Sequence, residues 1–104
     1  MVIEVTDSNF ESLVLKNASP VLLDFWAEWC VPCKNLSTTL ETLSEENTDI
    51  VFAKMNVDEN LSIPKEYSIR SIPYMLLFRG GDVIDSLIGN QSKEKIEYFI
   101  ESVI

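Results

Sequence analysis

The distribution of hydrophobic and polar residues divides the first half of the chain into strand-like and helix-like segments. The run VLLDFWA at residues 21–27 is almost continuously apolar, which is typical of a strand buried on both faces. Residues 50–58, IVFAKMNVD, are rich in apolar and β-branched side chains, and the chain opens on a shorter β-rich stretch, MVIEVT. We therefore predict three strands within residues 1–58.

Two segments between these strands have helical spacing. In SNFESLVLK, residues 8–16, apolar side chains fall on one stripe, and Ser8 and Glu11 stand at the spacing of a capping box, which is typical of a helix start. In residues 30 to about 47, three leucines spaced 4 and 3 residues apart share one side, as in an amphipathic helix. We predict a helix in each segment.

The second half of the chain begins with a short predicted helix and a hairpin. Residues 59–67 are compatible with a helix that Pro64 interrupts or opens. The runs YMLLFR and DVIDSLIG then flank Gly80 and Gly81. Two-residue hairpin turns require positive φ, which glycine adopts freely, so we predict two antiparallel strands joined at these glycines.

The C-terminal segment QSKEKIEYFIESVI completes the pattern. Ser92 is a suitable N-cap, and helical spacing gathers five apolar residues on one face: Ile96, Phe99, Ile100, Val103 and Ile104. The predicted order is βαβαβαββα. Strand–helix–strand units run parallel and the hairpin runs antiparallel, so we predict an α/β fold with a mixed central sheet and helices on both faces.

Composition narrows the class of protein. A chain of 104 residues is about one domain, and 46% hydrophobic with 24% charged residues is ordinary for a globular protein. The net charge is −9, from 17 acidic and 8 basic residues, so nucleic acid and acidic membrane surfaces are not expected partners. The N-terminus has no basic segment leading into an apolar one, and we expect a cytoplasmic, soluble monomer.

Both cysteines of the chain, Cys30 and Cys33, lie in the segment WCVPC. A structural disulfide is disfavoured, because the expected compartment is reducing and a four-residue loop constrains little of the unfolded chain. A metal site is also disfavoured, because the chain has no histidine and no third cysteine, and a structural zinc site needs four ligands. Carboxylates or a dimer could still complete such a site, but redox chemistry is favoured.

The position of the pair at a predicted helix start assigns a role to each thiol. Unpaired backbone N–H groups and the helix dipole stabilise a thiolate there, so Cys30 is the predicted nucleophile. Cys33, one turn further, is the predicted resolving thiol, which attacks the mixed disulfide that Cys30 forms with a partner. Pro32 would fix the turn between them, although a simple preference of proline for helix starts explains it equally well.

Four segments of the chain resemble the thioredoxin family. VLLDFWAEWCVPCK is similar to its active-site segment, AKMNVDEN to its central strand, YSIRSIPYMLLFRGGDV to the segment bearing a cis-proline, and LIGNQSKEKIEYFI to its last strand and helix. The resemblance implies one thioredoxin domain over residues 1–104, with a five-stranded mixed sheet flanked by four α-helices. A lowered cysteine pKa is already known for thioredoxins.

The resemblance also implies an activity and a set of partners. The expected activity is reduction of protein disulfides through Cys30 and Cys33, with no bound cofactor. The expected partners are oxidised client proteins and a thioredoxin reductase that recycles the pair. Three alternatives remain: an oxidase or isomerase of the same fold, a metal-binding module, and a redox-silent scaffold that only binds partners.

Two charged residues gain roles from the resemblance. Asp24 interrupts the apolar run of residues 21–27, and by resemblance it is the family's buried acid, which takes and returns the proton of Cys33. The alternative is a solvent-facing strand residue. Lys54 matches the lysine that lies near this acid and opposes the rise of its pKa, whereas the alternative is a solvated strand lysine.

An apolar docking surface around the thiols is also implied. Trp29 would cover the sulfur atoms and form part of this surface, whereas Trp26 is expected to be mainly a core aromatic. Pro73 matches the family's cis-proline, which would hold the Ile72 backbone for pairing with an extended partner segment and keep metal away from the thiols. Gly89 would allow close backbone approach on the same surface, unless it only ends a strand.

Four residues depart from the usual family pattern. Val31 stands in place of glycine between the thiols, and adds apolar surface without charge. Thr38 stands in place of a helix-kinking proline, so we expect a straighter helix. Ser71 and Tyr74 replace a glycine and a threonine beside Pro73, and we expect Tyr74 to narrow the docking groove and alter the choice of partners.

Overall fold

The computed structural model describes residues 1–103 and contains a five-stranded mixed sheet. The strands are β1 (Val2–Glu4), β2 (Val21–Trp26), β3 (Val51–Asn56), β4 (Tyr74–Arg79) and β5 (Asp82–Ile88). They lie in the order β1-β3-β2-β4-β5. The first three run parallel, and β4 and β5 are antiparallel to their neighbours, which confirms the predicted mixed sheet.

Helical segments connect the strands in the predicted order. They are a π-helical turn (Glu11–Leu15), α1 (Val31–Glu46), α2 (Ser62–Glu66) and α3 (Lys93–Ile100), which a 3₁₀ turn (Glu101–Val103) extends. The π-helical turn and α2 are shorter than the helices predicted at residues 8–16 and 59–67. Helix α1 continues unbroken through Thr38. None of the helices within residues 1–103 has the length and hydrophobicity needed to cross a membrane.

The predicted capping box of the first helix is wrong. The reciprocal bonds form two residues earlier, where the Asn9 amide donates to Thr6 Oγ1 at 3.3 Å and the Thr6 amide donates to Asn9 Oδ1 at 2.7 Å. Glu11 is therefore already inside the helix, and its carbonyl accepts the amide of Lys16 five residues on. This wider bond makes the turn π-helical rather than α-helical.

The sheet separates two hydrophobic clusters because side chains alternate between its faces. Leu22 points to a cluster with residues of α1 and α3, whereas Leu23 and Phe25 point to a cluster with residues of the π-helical turn and α2. All residues from Val21 to Phe25 are buried. The prediction of a strand covered on both faces is thus confirmed.

The last third of the chain forms the predicted hairpin and C-terminal helix. Gly80 and Gly81 have φ of +60° and +86° at the turn between β4 and β5, which confirms the hairpin. The Ser92 hydroxyl accepts the Lys95 amide at 3.2 Å and caps α3. Four of the five apolar residues predicted on one face are buried, and the fifth, Ile104, lies outside the described residues.

Candidate active site

The two cysteines lie at the start of α1, just beyond the carboxyl end of β2. Cys30 is the N-cap residue, and a disulfide joins it to Cys33 with their Cα atoms 5.2 Å apart. The Cys33 amide donates to Cys30 Sγ at 3.2 Å. The two side chains are 4% and 1% exposed. The sulfur of Cys30 therefore occupies the position of a capping group, where first-turn N–H groups stabilise a negative charge.

The residues between the cysteines suit a helix start. Val31 and Pro32 are the first two residues of α1, where the N–H that proline lacks would have no helical partner. Val31 is exposed beside the disulfide. The chain thus presents an exposed apolar side chain between the two cysteines.

Asp24 lies in the middle of β2 and is 3% exposed. Its burial raises the pKa of the carboxyl from 3.8 to about 8, because the charged form loses hydration, and the charge of Lys54 opposes this rise. Its Oδ1 atom has no hydrogen-bond partner. The buried position agrees with the expectation from the interrupted apolar run, and the alternative of a solvent-facing residue is wrong.

Lys54 lies directly opposite Asp24 on the neighbouring strand β3. Its ammonium group is 5.3 Å from the centre of the Trp26 ring, within the range of a cation–π contact. Within residues 1–103 no ion pair joins Lys54 to Asp24. This arrangement explains why the lysine only partly offsets the effect of burial on the Asp24 pKa.

A pocket of about 150 Å³ connects the buried acid with the disulfide. It is lined by Asp24, Trp26, Glu28, Cys33, Lys34, Ser37 and Lys54. The pocket is lined by several charged or polar side chains and is large enough for water. An ion pair of 3.2 Å joins the exposed side chains of Lys34 and Glu28.

Sequence analysis missed three residues of this pocket: Glu28, Lys34 and Ser37. A signal for Ser37 was present, because it follows Cys33 by four residues and helix geometry puts such pairs on one side. Glu28 and Lys34 flank the cysteine segment and have no comparable signal in the sequence.

A groove of about 380 Å³ lies beside the disulfide, and we call it the Trp29 groove. Its lining residues are Trp29, Val57, Ile69, Arg70, Ser71 and Ile72. The Trp29 ring is 69% exposed, and its Nε1 donates to Asp58 Oδ2 at 2.9 Å. Val57 and Ile72 also pack against the cluster formed by Ala27, Cys30 and Cys33. An apolar surface with a fixed aromatic ring thus borders the reactive sulfur atoms.

The segment on the far side of this groove has the expected backbone. The Ile72–Pro73 peptide bond is cis. The Pro73 carbonyl accepts the Gly89 amide at 2.8 Å, and Gly89 has φ of +87°, which a side chain would strain. Tyr74 is not among the residues that line the Trp29 groove. Its side chain packs against the cluster that contains Phe25.

No group of three or more histidine, cysteine or carboxylate residues that could hold a metal ion occurs within residues 1–103. The reactive groups that the described site brings together are the two sulfur atoms and the neighbouring acid. Cys30 and Cys33 form the reversible bond, and Asp24 is the group whose protonation changes near neutral pH.

A family model and several individual proteins that resemble this chain all have the same description. The model of the family described as Thioredoxin matches residues 1–102. A thioredoxin of Rickettsia prowazekii (strain Madrid E) is 48% identical over 105 residues, covering 100% of both chains. One of Acidithiobacillus ferridurans is 44% identical over 102 residues, covering 97% of this chain and 94% of its own. One of Buchnera aphidicola is 43% identical, covering 99% and 96%.

These matches extend over nearly the whole chain and agree with the geometry of the site. The five-stranded mixed sheet carries a disulfide-forming C-x-x-C pair at the start of α1, which is the arrangement that thiol–disulfide oxidoreduction requires. The chain therefore belongs to the thioredoxin family and is a protein-disulfide reductase that works through its cysteine pair.

Proposed function

We propose that Cys30 is the attacking thiol and Cys33 the resolving thiol. The Cys30 thiolate attacks one sulfur of a partner disulfide, forms a mixed disulfide and expels the other sulfur as a thiolate. The Cys33 thiolate then attacks Cys30 Sγ, which releases the partner as a dithiol and leaves the Cys30–Cys33 disulfide. The observation that carries this assignment is the Cys33 amide donating to Cys30 Sγ at the start of α1.

We propose that Asp24 accepts the proton of Cys33 in the second step and returns it when the pair is reduced again. The pocket lined by both residues also has the side chains of Glu28, Lys34 and Ser37 in its wall, and it supports a route through water. The raised pKa of about 8 supports it too, because a general base works best when its pKa is near the ambient pH. Lys54 tunes this pKa from the opposite strand.

The Trp29 groove is the proposed docking surface for an extended partner segment. Trp29 and Ile72 line it, Val31 extends its apolar surface beside the sulfur atoms, and Pro32 fixes the turn between them. Pro73 and Gly89 fix its far side through the bond between their backbones. Tyr74, which lies beside Pro73 and is partly buried against the cluster that contains Phe25, is still proposed to alter the choice of partners.

The reducing direction requires a second partner. The oxidised pair must be reduced by an electron donor, and we propose a thioredoxin reductase acting in the cytoplasm, where thiols are kept reduced. Monomeric action is part of the proposal, because one chain carries both thiols, the acid and the groove.

The test is the redox equilibrium of the Cys30–Cys33 pair in graded glutathione or dithiothreitol buffers, followed by tryptophan fluorescence. We expect a strongly reducing potential, near the low end of the range for such pairs. A potential more than about 100 mV higher, which is over about 4 kcal/mol for two electrons, would assign an oxidase or isomerase role instead.

Two cysteine variants separate the roles of the thiols. Cys33→Ser should accumulate a mixed disulfide with a partner, because the resolving thiol is missing, whereas Cys30→Ser should not. Accumulation with Cys30→Ser alone would reverse the assignment. Asp24→Asn should slow release of the mixed disulfide by roughly tenfold or more, and leave its formation nearly unchanged.

A further inference from the structure

A second concave surface continues the Trp29 groove away from the disulfide. This surface, which we call the α2 pocket, has a volume of about 420 Å³ and is lined in part by Leu61 and Lys65 of the α2 region. Val57, Ile69 and Arg70 line both concavities. A partner segment that lies in the Trp29 groove can therefore extend into the α2 pocket without leaving the surface.

The charged side chains that line the α2 pocket are cationic, although the protein as a whole is acidic. The chain carries a net charge of −9, yet Lys65 and Arg70 are the charged side chains that line the pocket. Within residues 1–103 no carboxylate lines either concavity, and neither cation takes part in an ion pair. Their charges are thus available to a partner.

Most other cationic side chains of the protein already interact with groups of the same chain. Ion pairs hold Lys16, Lys34 and Lys93, and the Arg79 guanidinium donates to the Val103 carbonyl. Lys54 lies over the Trp26 ring, and Lys95 is exposed on α3. Lys65 and Arg70 are the two cations that lie together at the groove, and an electrostatic contribution to docking would be concentrated there.

The α2 pocket also offers an apolar contact on a fixed backbone. Leu61, just before α2, is 74% exposed. The Asp7 carboxylate accepts the amides of Ser62 and Ile63 at 3.0 and 2.9 Å, which ties the start of α2 to the preceding β1 region. A surface fixed in this way loses little conformational freedom when a partner binds.

We propose that the α2 pocket binds acidic side chains of a partner segment whose disulfide cysteine lies at Cys30. The favoured partner carries carboxylates beside an apolar residue on one side of that cysteine. The charges of Lys65 and Arg70 attract the carboxylates, and Leu61 contacts the apolar residue. This inference rests on the proposed reduction of partner disulfides, and adds to it the class of segment that is reduced fastest.

The test uses cystine peptides that differ only in two residues, Glu or Gln, placed on one side of the cysteine at a time. Oxidation of the reduced protein is followed by tryptophan fluorescence, and the readout is the ratio of the second-order rate constants for the Glu and Gln peptides. We expect a ratio of about 5 for one side only, falling towards 1 in high salt.

Charge-removing variants locate the effect. Lys65→Gln should lower the ratio about twofold, and Lys65→Gln combined with Arg70→Gln should bring it to about 1. Lys95→Gln is the matched control, because Lys95 is an exposed cation on α3 outside both concavities, and it should leave the ratio unchanged. A circular dichroism spectrum and a urea midpoint equal to those of the unmodified protein verify that each variant is folded.

The outcomes separate the inference from the function on which it rests. Three results would overturn the inference about the α2 pocket while the Gln peptides are still reduced. They are a rate ratio near 1 for the unmodified protein, the same ratio for Glu on either side of the cysteine, and an equal loss of the ratio in Lys95→Gln. Failure to reduce either peptide would overturn the proposed function itself, and the inference with it.

Discussion

At the scale of single residues, the Asp24 carboxyl makes folding stability depend on pH. Its pKa is raised from 3.8 to about 8 in the folded state by burial. Below about pH 4 the group is protonated in both the folded and the unfolded chain. Between pH 4 and 8 only the unfolded chain ionises, so the free energy of unfolding falls as pH rises through this window.

Asp24→Asn removes this titration. We expect the free energy of unfolding of the variant, relative to the unmodified protein, to rise between pH 4 and pH 9 by at least about 2 kcal/mol. Urea denaturation of the oxidised proteins at pH 4, 6 and 9 measures it. A difference that stays constant across this range would show that the Asp24 carboxyl has an ordinary pKa.

Ser68 is a second residue that lowers the stability of the fold, because its backbone has a left-handed conformation. It has φ of +56° at the end of α2, where the Ser68 amide donates to the Lys65 carbonyl and the Ile69 amide donates to the Pro64 carbonyl. These two bonds form a Schellman motif, which favours glycine at this position. Ser68→Gly should therefore stabilise the fold by roughly 0.5 to 1 kcal/mol.

Equilibrium denaturation of Ser68→Gly beside Ser68→Ala tests this prediction. Alanine has no more freedom at positive φ than serine, so the alanine variant should be no more stable than the unmodified protein. Equal stabilisation by both substitutions would assign the effect to loss of the hydroxyl group rather than to the backbone.

The residues predicted from the sequence and those missed differ in a physical way. The cysteines and Asp24 could be recognised because their chemistry contrasts with the apolar segments around them. Lys65 and Asp58 are charged residues in a polar stretch, and only the folded chain brings Lys65 to the α2 pocket and Asp58 to the Trp29 ring N–H. The orientation of Tyr74 also depends on the fold, because its pairing with Phe25 turns its side chain to the cluster on that face.

At the scale of secondary-structure elements, α2 depends on a cap supplied from outside the helix. The helix has only five residues and cannot be stable alone. The Asp7 carboxylate accepts the amides of Ser62 and Ile63, which are otherwise unpaired at a helix start. Asp7→Ala should lower the free energy of unfolding by about 1 to 2 kcal/mol.

Hydrogen exchange at the Ser62 and Ile63 amides gives the specific readout, and both should exchange faster in Asp7→Ala. Asp7→Asn keeps one acceptor oxygen and should lose less stability than the alanine variant. If both amides keep their protection in Asp7→Ala, the start of α2 is held by its packing and not by the carboxylate.

Hydrophobic periodicity predicted the elements better than their ends. Strands β2 to β5 and helices α1 and α3 have six or more residues each, whereas the π-helical turn and α2 have only five. The capping bonds of these short elements involve Thr6, Asn9 and Asp7. The Asp7 bond spans 55 residues of sequence, and local spacing carries no signal of it.

At the scale of the whole molecule, the charge balance opposes compactness. The net charge is −9, and the four ion pairs within residues 1–103 are all partly or largely exposed, so they add little stability. The Cα radius of gyration is 12.3 Å. At about 0.01 M salt the screening length is about 30 Å, so the excess negative charges repel one another across the whole molecule.

Salt should therefore stabilise the folded chain at neutral pH. We expect the free energy of unfolding at pH 7.5 to rise by on the order of 1 kcal/mol between 0.01 M and 0.5 M NaCl, because the screening length falls below 10 Å. Near the isoelectric point of about 4.3 the repulsion vanishes and the rise should be absent. Repeating the measurement with Asp24→Asn removes the contribution of the buried carboxyl. An equal rise in the free energy of unfolding at pH 7.5 and at pH 4.3 would show that salt acts by strengthening hydrophobic burial and not by screening charge.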